Sequence, residues 1–322
     1  MGKIYQNGQS YGSVTNIFLN VDTTVDGVKL TNPELILTSK YDLGEEISTL
    51  PYDAQRGRAV VIDDKLYLLT TSATSATENA FYAWDGMAWN YVSDLPYPAS
   101  NAAVVVLNEE IHLLGSSVSG YETNHYKWTK NDGWVSVDNI PYEFSQSTAV
   151  VLNGEIHILG GTRNSYNHYK WSSSSGWEQI STDIPYAFFH GDAVVYNGEI
   201  HILGGITGST NHYKWGGGST WINVSTLPYS FLQSRSVVYK NRIYIIGTSN
   251  NDGNKYATWD GSNWECVENK LPFRFDNAAA VIYDKKIHLL GTSATEADKY
   301  KHYTMGTGKF LGYDVVAREK TS

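Results

Sequence analysis

The chain carries one cysteine, Cys266, in 322 residues. A single thiol closes no internal disulfide and supplies no cysteine-rich zinc site. Positive charge is also scarce: 24 Lys and Arg face 33 Asp and Glu, a formal net charge of −9. Nucleic-acid binding needs concentrated Lys and Arg, so that class of partner is excluded. No apolar run reaches the roughly 18 residues of a membrane-spanning helix, which excludes membrane insertion. Met1-Gly2-Lys3-Ile4-Tyr5-Gln6-Asn7-Gly8 lacks the apolar core of a signal peptide, so the expected location is the cytoplasm or a virion released by lysis. Glycine-rich phosphate loops, HExxH and Ser-His-Asp arrangements are missing too, and no catalytic residue, cofactor or metal is expected.

What is present points one way. Glycine (29), tyrosine (24) and tryptophan (10) are plentiful and charged residues make up only 18 %. That balance suits many short strands joined by tight turns. Leu50-Pro51, Leu95-Pro96, Ile140-Pro141, Ile184-Pro185, Leu227-Pro228 and Leu271-Pro272 recur at about 44-residue intervals. After each marker comes an apolar strand, a short polar turn such as Asn153-Gly154 or Asn197-Gly198, and a second apolar strand. A third strand carries an aromatic pair, as in Tyr126-Lys127-Trp128, and a fourth opens on Trp89, Trp134, Trp177, Trp221 or Trp264.

Four antiparallel strands per repeat and six repeats predict an all-β, six-bladed β-propeller. The paired glycine at a strand end (Gly160-Gly161, Gly204-Gly205), the downstream aromatic and the Trp about six residues later resemble the kelch family. The resemblance spans residues 44 to 316 and implies a kelch propeller over 44–322. Thr70-Thr71, Gly115-Ser116, Gly247-Thr248 and Gly291-Thr292 depart from its paired glycine. Residues 1–43 do not repeat and read as a short β appendage, with a strand expected over Asn16 to Val21. Two stretches compete to complete the sixth blade. Gly44-Glu45-Glu46-Ile47-Ser48-Thr49-Leu50-Pro51 looks like a fourth strand without its blade, matching Val224-Ser225-Thr226-Leu227-Pro228, and Lys309 to Val315 can claim the same place.

His112, His157, His201 and His288 share one strand position, and His125, His168, His212 and His302 another. Equivalent positions in different blades lie far apart, so these histidines read as packing between blades, as do the tryptophans. Copper-radical oxidases also carry a kelch propeller, but Cys266 follows a repeat Trp without a companion ligand cluster.

Aligning the six segments that lead into the inner strands places Arg56, Asn101, Gln146, His190, Gln233 and Asn277 at one position. All are planar polar groups that donate hydrogen bonds. Two residues on stand Arg58, Ala103, Thr148, Asp192, Arg235 and Ala279; two residues before stand Ala54, Ala99, Phe144, Phe188, Phe231 and Phe275. The expected axial mouth is a polar ring with four phenylalanines nearby. Arg56, Arg58, Asn101, Phe144, Gln146, Phe188, His190, Asp192, Phe231, Gln233, Arg235, Phe275 and Asn277 are the candidate ligand-binding residues. Polar groups beside aromatic faces suit a polyhydroxylated ligand. The alternative is that the ring satisfies backbone groups and channel waters, with Asp192 pairing with Arg235 or Arg58.

Three functions fit. The first is a non-catalytic propeller that binds a cell-surface glycan or protein receptor. Its His-Tyr-Lys-Trp repeats and N-terminal segment are similar to kelch-type tail and baseplate proteins of phages of Gram-positive bacteria, which implies attachment to virion or other assembly proteins through residues 1–33. The second is a sugar-processing enzyme resembling the sialic-acid mutarotases, also six-bladed kelch propellers. There Arg56, Arg58 or Arg235 would hold the acid, with Asp192, Glu143 or His190 moving protons. The third is a protein-interaction scaffold.

Overall fold

The computed structural model describes residues 2–6, 9–14, 24–25, 28–29, 33–71, 79–162, 165–206, 209–248, 254–267, 271, 273–292, 297–306 and 310–319. They fall into two units, Gly44–Met305 and the pair Met1–Leu43 with Gly306–Ser322.

Gly44–Met305 folds as a six-bladed propeller of four-stranded antiparallel sheets. Blades 1 to 5 occupy residues 58–94, 103–136, 148–179, 192–226 and 235–267; blade 6 takes 279–305 and a strand from elsewhere. Each inner strand neighbours those of the two adjacent blades, and the sixth neighbours the first, closing the ring. The inner hairpins turn on Asp63-Asp64, Asn108-Glu109, Asn153-Gly154, Asn197-Gly198, Lys240-Asn241 and Asp284-Lys285, with φ positive at both residues of each pair. Two left-handed central residues match the twist of the flanking strands, which is why Asn, Asp and Gly dominate.

The apolar core is distributed between blades. Ile111, Leu113 and Trp128 of blade 2 pack on Val60, Leu69 and Phe81 of blade 1, and the other seams repeat this pattern. Trp84, Trp128, Trp171, Trp215 and Trp259 are all buried at these seams.

The missing strand of blade 6 is Gly44–Thr49, antiparallel to Lys301–Met305 with Lys301 opposite Thr49 and Met305 opposite Gly44. Its register shifts between His302 and Tyr303, as blade 4 shifts between His212 and Tyr213. The competing C-terminal stretch goes elsewhere: Phe310–Glu319 pairs with Pro33–Tyr41 in the smaller unit, so the propeller ends at Met305 and not at residue 322. A nine-residue partner offers that strand more backbone bonds than a five-residue blade strand. The smaller unit also contains the hairpins Gly2–Gln6 with Gln9–Val14 and Thr24–Val25 with Val28–Lys29. The strand expected over Asn16 to Val21 lies outside the described residues.

Candidate functional site: the axial mouth

A turn precedes the inner strands. In blades 1 and 2 the Gly57 amide donates to the Ala54 carbonyl at 2.9 Å and the Ala102 amide to the Ala99 carbonyl at 3.1 Å. The residue before each of these donors is left-handed, and so are its four counterparts. Arg56, Asn101, Gln146, His190, Gln233 and Asn277 have φ of 62, 54, 55, 57, 56 and 45°. For an ordinary side chain this conformation costs about 1–2 kcal/mol, less for Asn.

A chain of backbone bonds accompanies that strain. The Gln146 amide donates to the Asn101 carbonyl at 3.1 Å, His190 to Gln146 at 2.8 Å, and Gln233 to His190 at 2.9 Å. Asn277 then donates to Gln233 at 2.8 Å, and Arg56 to Asn277 at 2.7 Å. The six aligned positions therefore meet around the axis, joined by five bonds that run from blade 2 through blades 3 to 6 to blade 1. Asn101 and Asn277 are buried, Asn101 donating from Nδ2 to Ser117 Oγ, whereas Arg56, Gln146, His190 and Gln233 are half-buried.

The following residues, Gly57, Ala102, Ser147, Gly191, Ser234 and Ala278, are all small, a pattern present in the alignment but not singled out from it. A Cβ at Gly191 would collide with the ring of Phe188. Next come Arg58, Asp192 and Arg235, half-buried among Ala103, Thr148 and Ala279. Asp192 accepts from Thr148 Oγ1 at 3.0 Å and from the Ser236 amide at 2.6 Å. Arg58 Nη1 donates to the Gly57 carbonyl at 2.9 Å, and Arg235 Nη1 to the Ser234 carbonyl at 2.7 Å. The pairing considered between Asp192 and Arg235 or Arg58 does not form an ion pair within 4.0 Å among the described residues.

The four phenylalanines are not part of the mouth. Phe144, Phe188, Phe231 and Phe275 are 0, 0, 1 and 0 % exposed, each in the seam with the preceding blade. Placing them beside the polar ring assumes an extended chain with alternating faces. The left-handed residue two positions on breaks that alternation and turns each ring into the core.

The histidines meet within blades, though not between them. His112 Nδ1 lies 2.8 Å from His125 Nε2, and His157–His168, His201–His212 and His288–His302 repeat the pair at 2.9, 2.8 and 2.8 Å. Trp171 of the next blade covers His112 and His125, at ring separations of 5.2 and 5.0 Å. Tyr67–Phe81 and Tyr244–Tyr256 replace the pair in blades 1 and 5. Among the described residues no group of three or more His, Cys, Asp or Glu could hold a metal, and no helix is long and apolar enough to cross a membrane.

No protein-family model and no curated protein matches this sequence. Solved structures do match in fold. One, titled "Structure of YjhT", is 12 % identical with a TM-score of 0.67, covering 84 % of this chain and 99 % of its own. At that identity the likeness shows the fold alone.

Electrostatics set the mouth apart from the rest of the propeller. Burial holds the Arg58 guanidinium well below the usual arginine range; repulsion from Arg235 adds to this and Asp192 opposes it. Burial lowers Arg235 as well, against Asp192 and Asp276. His190 is pushed down to about 4 by burial first, then by Arg235, Arg56 and Arg58. It is therefore neutral at pH 7, one ring nitrogen donating and the other accepting. The mouth can thus offer amides, a neutral imidazole and guanidinium forks to one ligand.

Proposed function

We propose that this chain is a non-catalytic binding propeller of the kelch kind that grips a carbohydrate or cell-surface receptor at its axial mouth. The observation that carries this reading is the ring of six left-handed polar residues linked through their backbones, because strain of this kind persists where surrounding structure holds it and clusters at binding sites. Gln146, His190 and Gln233 stand on consecutive blades and are half-buried, so they retain access to solvent. Their donors and acceptors match the hydroxyls along one side of a sugar. Within this reading residues 1–33 attach the propeller to a phage tail or another assembly, giving a virion component or a cytoplasmic protein awaiting assembly.

The test is a glycan array with the purified chain and with Gln146→Gly, His190→Gly and Gln233→Gly combined. Glycine accepts the left-handed backbone, so the ring stays while its side chains go. We expect glycan binding to fall at least tenfold with the unfolding temperature little changed. Undiminished binding by the triple variant would remove the mouth from the reading. Mutarotation of a sialic acid followed by NMR, with a silent array, would replace binding by catalysis.

A further inference from the structure

We infer that the ligand of the axial mouth bears a negative charge, seated between the guanidinium groups of Arg58 and Arg235. This rests on the reading of the mouth as the binding site and specifies its ligand class: a carboxylate, sulfate or phosphate group.

The first support is an imbalance of partners. Arg56, Arg58 and Arg235 bring three cations to the ring, and none forms an ion pair among the described residues. The carboxylate of Asp192 is taken up by Thr148 and the Ser236 amide, and Asp276, one residue before the ring, accepts from Thr292 Oγ1 at 3.1 Å. Among the described residues Arg58 and Arg235 donate only to backbone carbonyls close by in sequence. Nε of Arg56 and of Arg235 is buried without a partner, as are the hydroxyls of Ser234 and Ser236 on either side of Arg235. Buried polar groups in native proteins are nearly always paired, so such a cluster of orphan donors needs an explanation.

The second support is room. Blades 2 and 6 flank Arg58 and place Ala103 and Ala279 at its position, so neither adjacent inner strand offers a polar side chain at that level. The third is contrast. The chain as a whole is acidic, at −9, yet it gathers three arginines about one axis. Against the single carboxylate of Asp192 at that level, the three arginines leave an excess of positive charge that draws anions from solution. A guanidinium fork fits carboxylate, sulfate and phosphate oxygens two at a time. The fold should not need these charges, because an unpaired guanidinium carries a desolvation cost that an apolar side chain of similar size avoids.

The experiment is thermal unfolding of the full chain and of Arg58→Met/Arg235→Met. The probes are sodium glucuronate against glucose, and sodium sulfate and phosphate against chloride at matched ionic strength. We expect glucuronate, sulfate or phosphate to raise the unfolding temperature of the native chain by several degrees more than that of the variant. The apparent affinity should fall at least tenfold in the variant, which should melt no lower than the native chain when no anion is added. Equal anion shifts in both proteins, or a variant that melts lower without anion, would show the arginines to be structural and overturn the inference. Glycan binding on the array that survives Arg58→Met/Arg235→Met sinks the inference and keeps the binding reading. Stabilisation by sulfate or phosphate without glucuronate keeps the anion site and removes the sugar.

Discussion

His302 Nδ1 lies 3.0 Å from the hydroxyl of Ser48, a residue 254 positions earlier in the chain. Ser48 also accepts from Trp89 Nε1 of blade 1 at 3.3 Å, so one hydroxyl joins the N-terminal strand, blade 6 and blade 1. Blade 4 makes the same arrangement locally: Ser225 Oγ lies 3.1 Å from His212 Nδ1 and 3.1 Å from Trp264 Nε1. Ser48→Ala leaves a buried imidazole nitrogen and an indole N–H short of a partner, at a cost of about 1–2 kcal/mol. Ser225→Ala should cost less, because Trp264 Nε1 also lies 3.2 Å from His212 Nδ1 and the two keep each other as partners. The Ser48 variant alone should also speed hydrogen exchange in Lys301–Met305, because it loosens a strand held by closure and not by a hairpin. Equal exchange in the two variants would mean that closure does not depend on this hydroxyl.

A second prediction concerns Gly247. Its φ is +70°, and a Cβ there would collide with the carbonyl oxygen of Phe275 in the next blade. Gly247→Ala should lower stability by about 3 kcal/mol or more, through backbone overlap that no side-chain rotation relieves. Chemical denaturation measures the loss. A cost below about 1 kcal/mol, as for an ordinary surface glycine, would show that the seam can open at that point.

Much of this architecture was legible in the letters, and the reasons differ by element. Ile47-Ser48-Thr49-Leu50-Pro51 matches Val224-Ser225-Thr226-Leu227-Pro228, and the two serines make matching bonds because equal sequence in an equal frame has equal partners. Choosing between the two closing stretches was not possible, since the decision lay in the nine residues Pro33–Tyr41 that pair with Phe310–Glu319. The axial ring could be aligned because its positions repeat. Asn101, His190 and Asn277 are of types enriched in the left-handed region, but Arg56, Gln146 and Gln233 at the same position have no preference for it, so the left-handed backbone was not read and the phenylalanines were assigned to the wrong surface. The histidine pairs were hidden by register. His112 sits opposite Lys127 and His125 opposite Leu114, so the rings meet on a diagonal that only strand pairing reveals.

The inner hairpins allow a stabilising change. Asn108-Glu109 occupies a turn in which both residues are left-handed, with φ of 51 and 63°, where blades 3 and 4 use Asn-Gly. Glu109→Gly relieves the second residue at some cost in unfolded-chain entropy, for a net gain of about 0.5–1 kcal/mol. The unfolding temperature should rise by about 1–3 °C. A fall would mean that the flexibility glycine adds to the unfolded chain outweighs the strain it relieves.

The paired histidines make the propeller acid-sensitive, with a sign that follows from their burial. Desolvation is the largest cause at each position. It pushes His112, His157, His201 and His288 down to about 4, and His125, His168, His212 and His302, each also repelled by its partner where that partner is charged, to about 3. In the unfolded chain they titrate near 6.5. Between about pH 6.5 and those depressed values the unfolded state binds protons that the native state refuses. Stability is therefore fully present above pH 6.5 and is lost as pH falls toward 4, each histidine contributing up to about 1.4 kcal/mol per pH unit. His112→Tyr/His125→Phe copies the Tyr67–Phe81 pair of blade 1, whose rings stack at 5.1 Å. That variant should unfold at a lower pH than the native chain while matching it at pH 8 to within about 2 kcal/mol. Denaturant midpoints taken from pH 8 to 4 measure both slopes, and equal slopes would show that other groups set the acid limit.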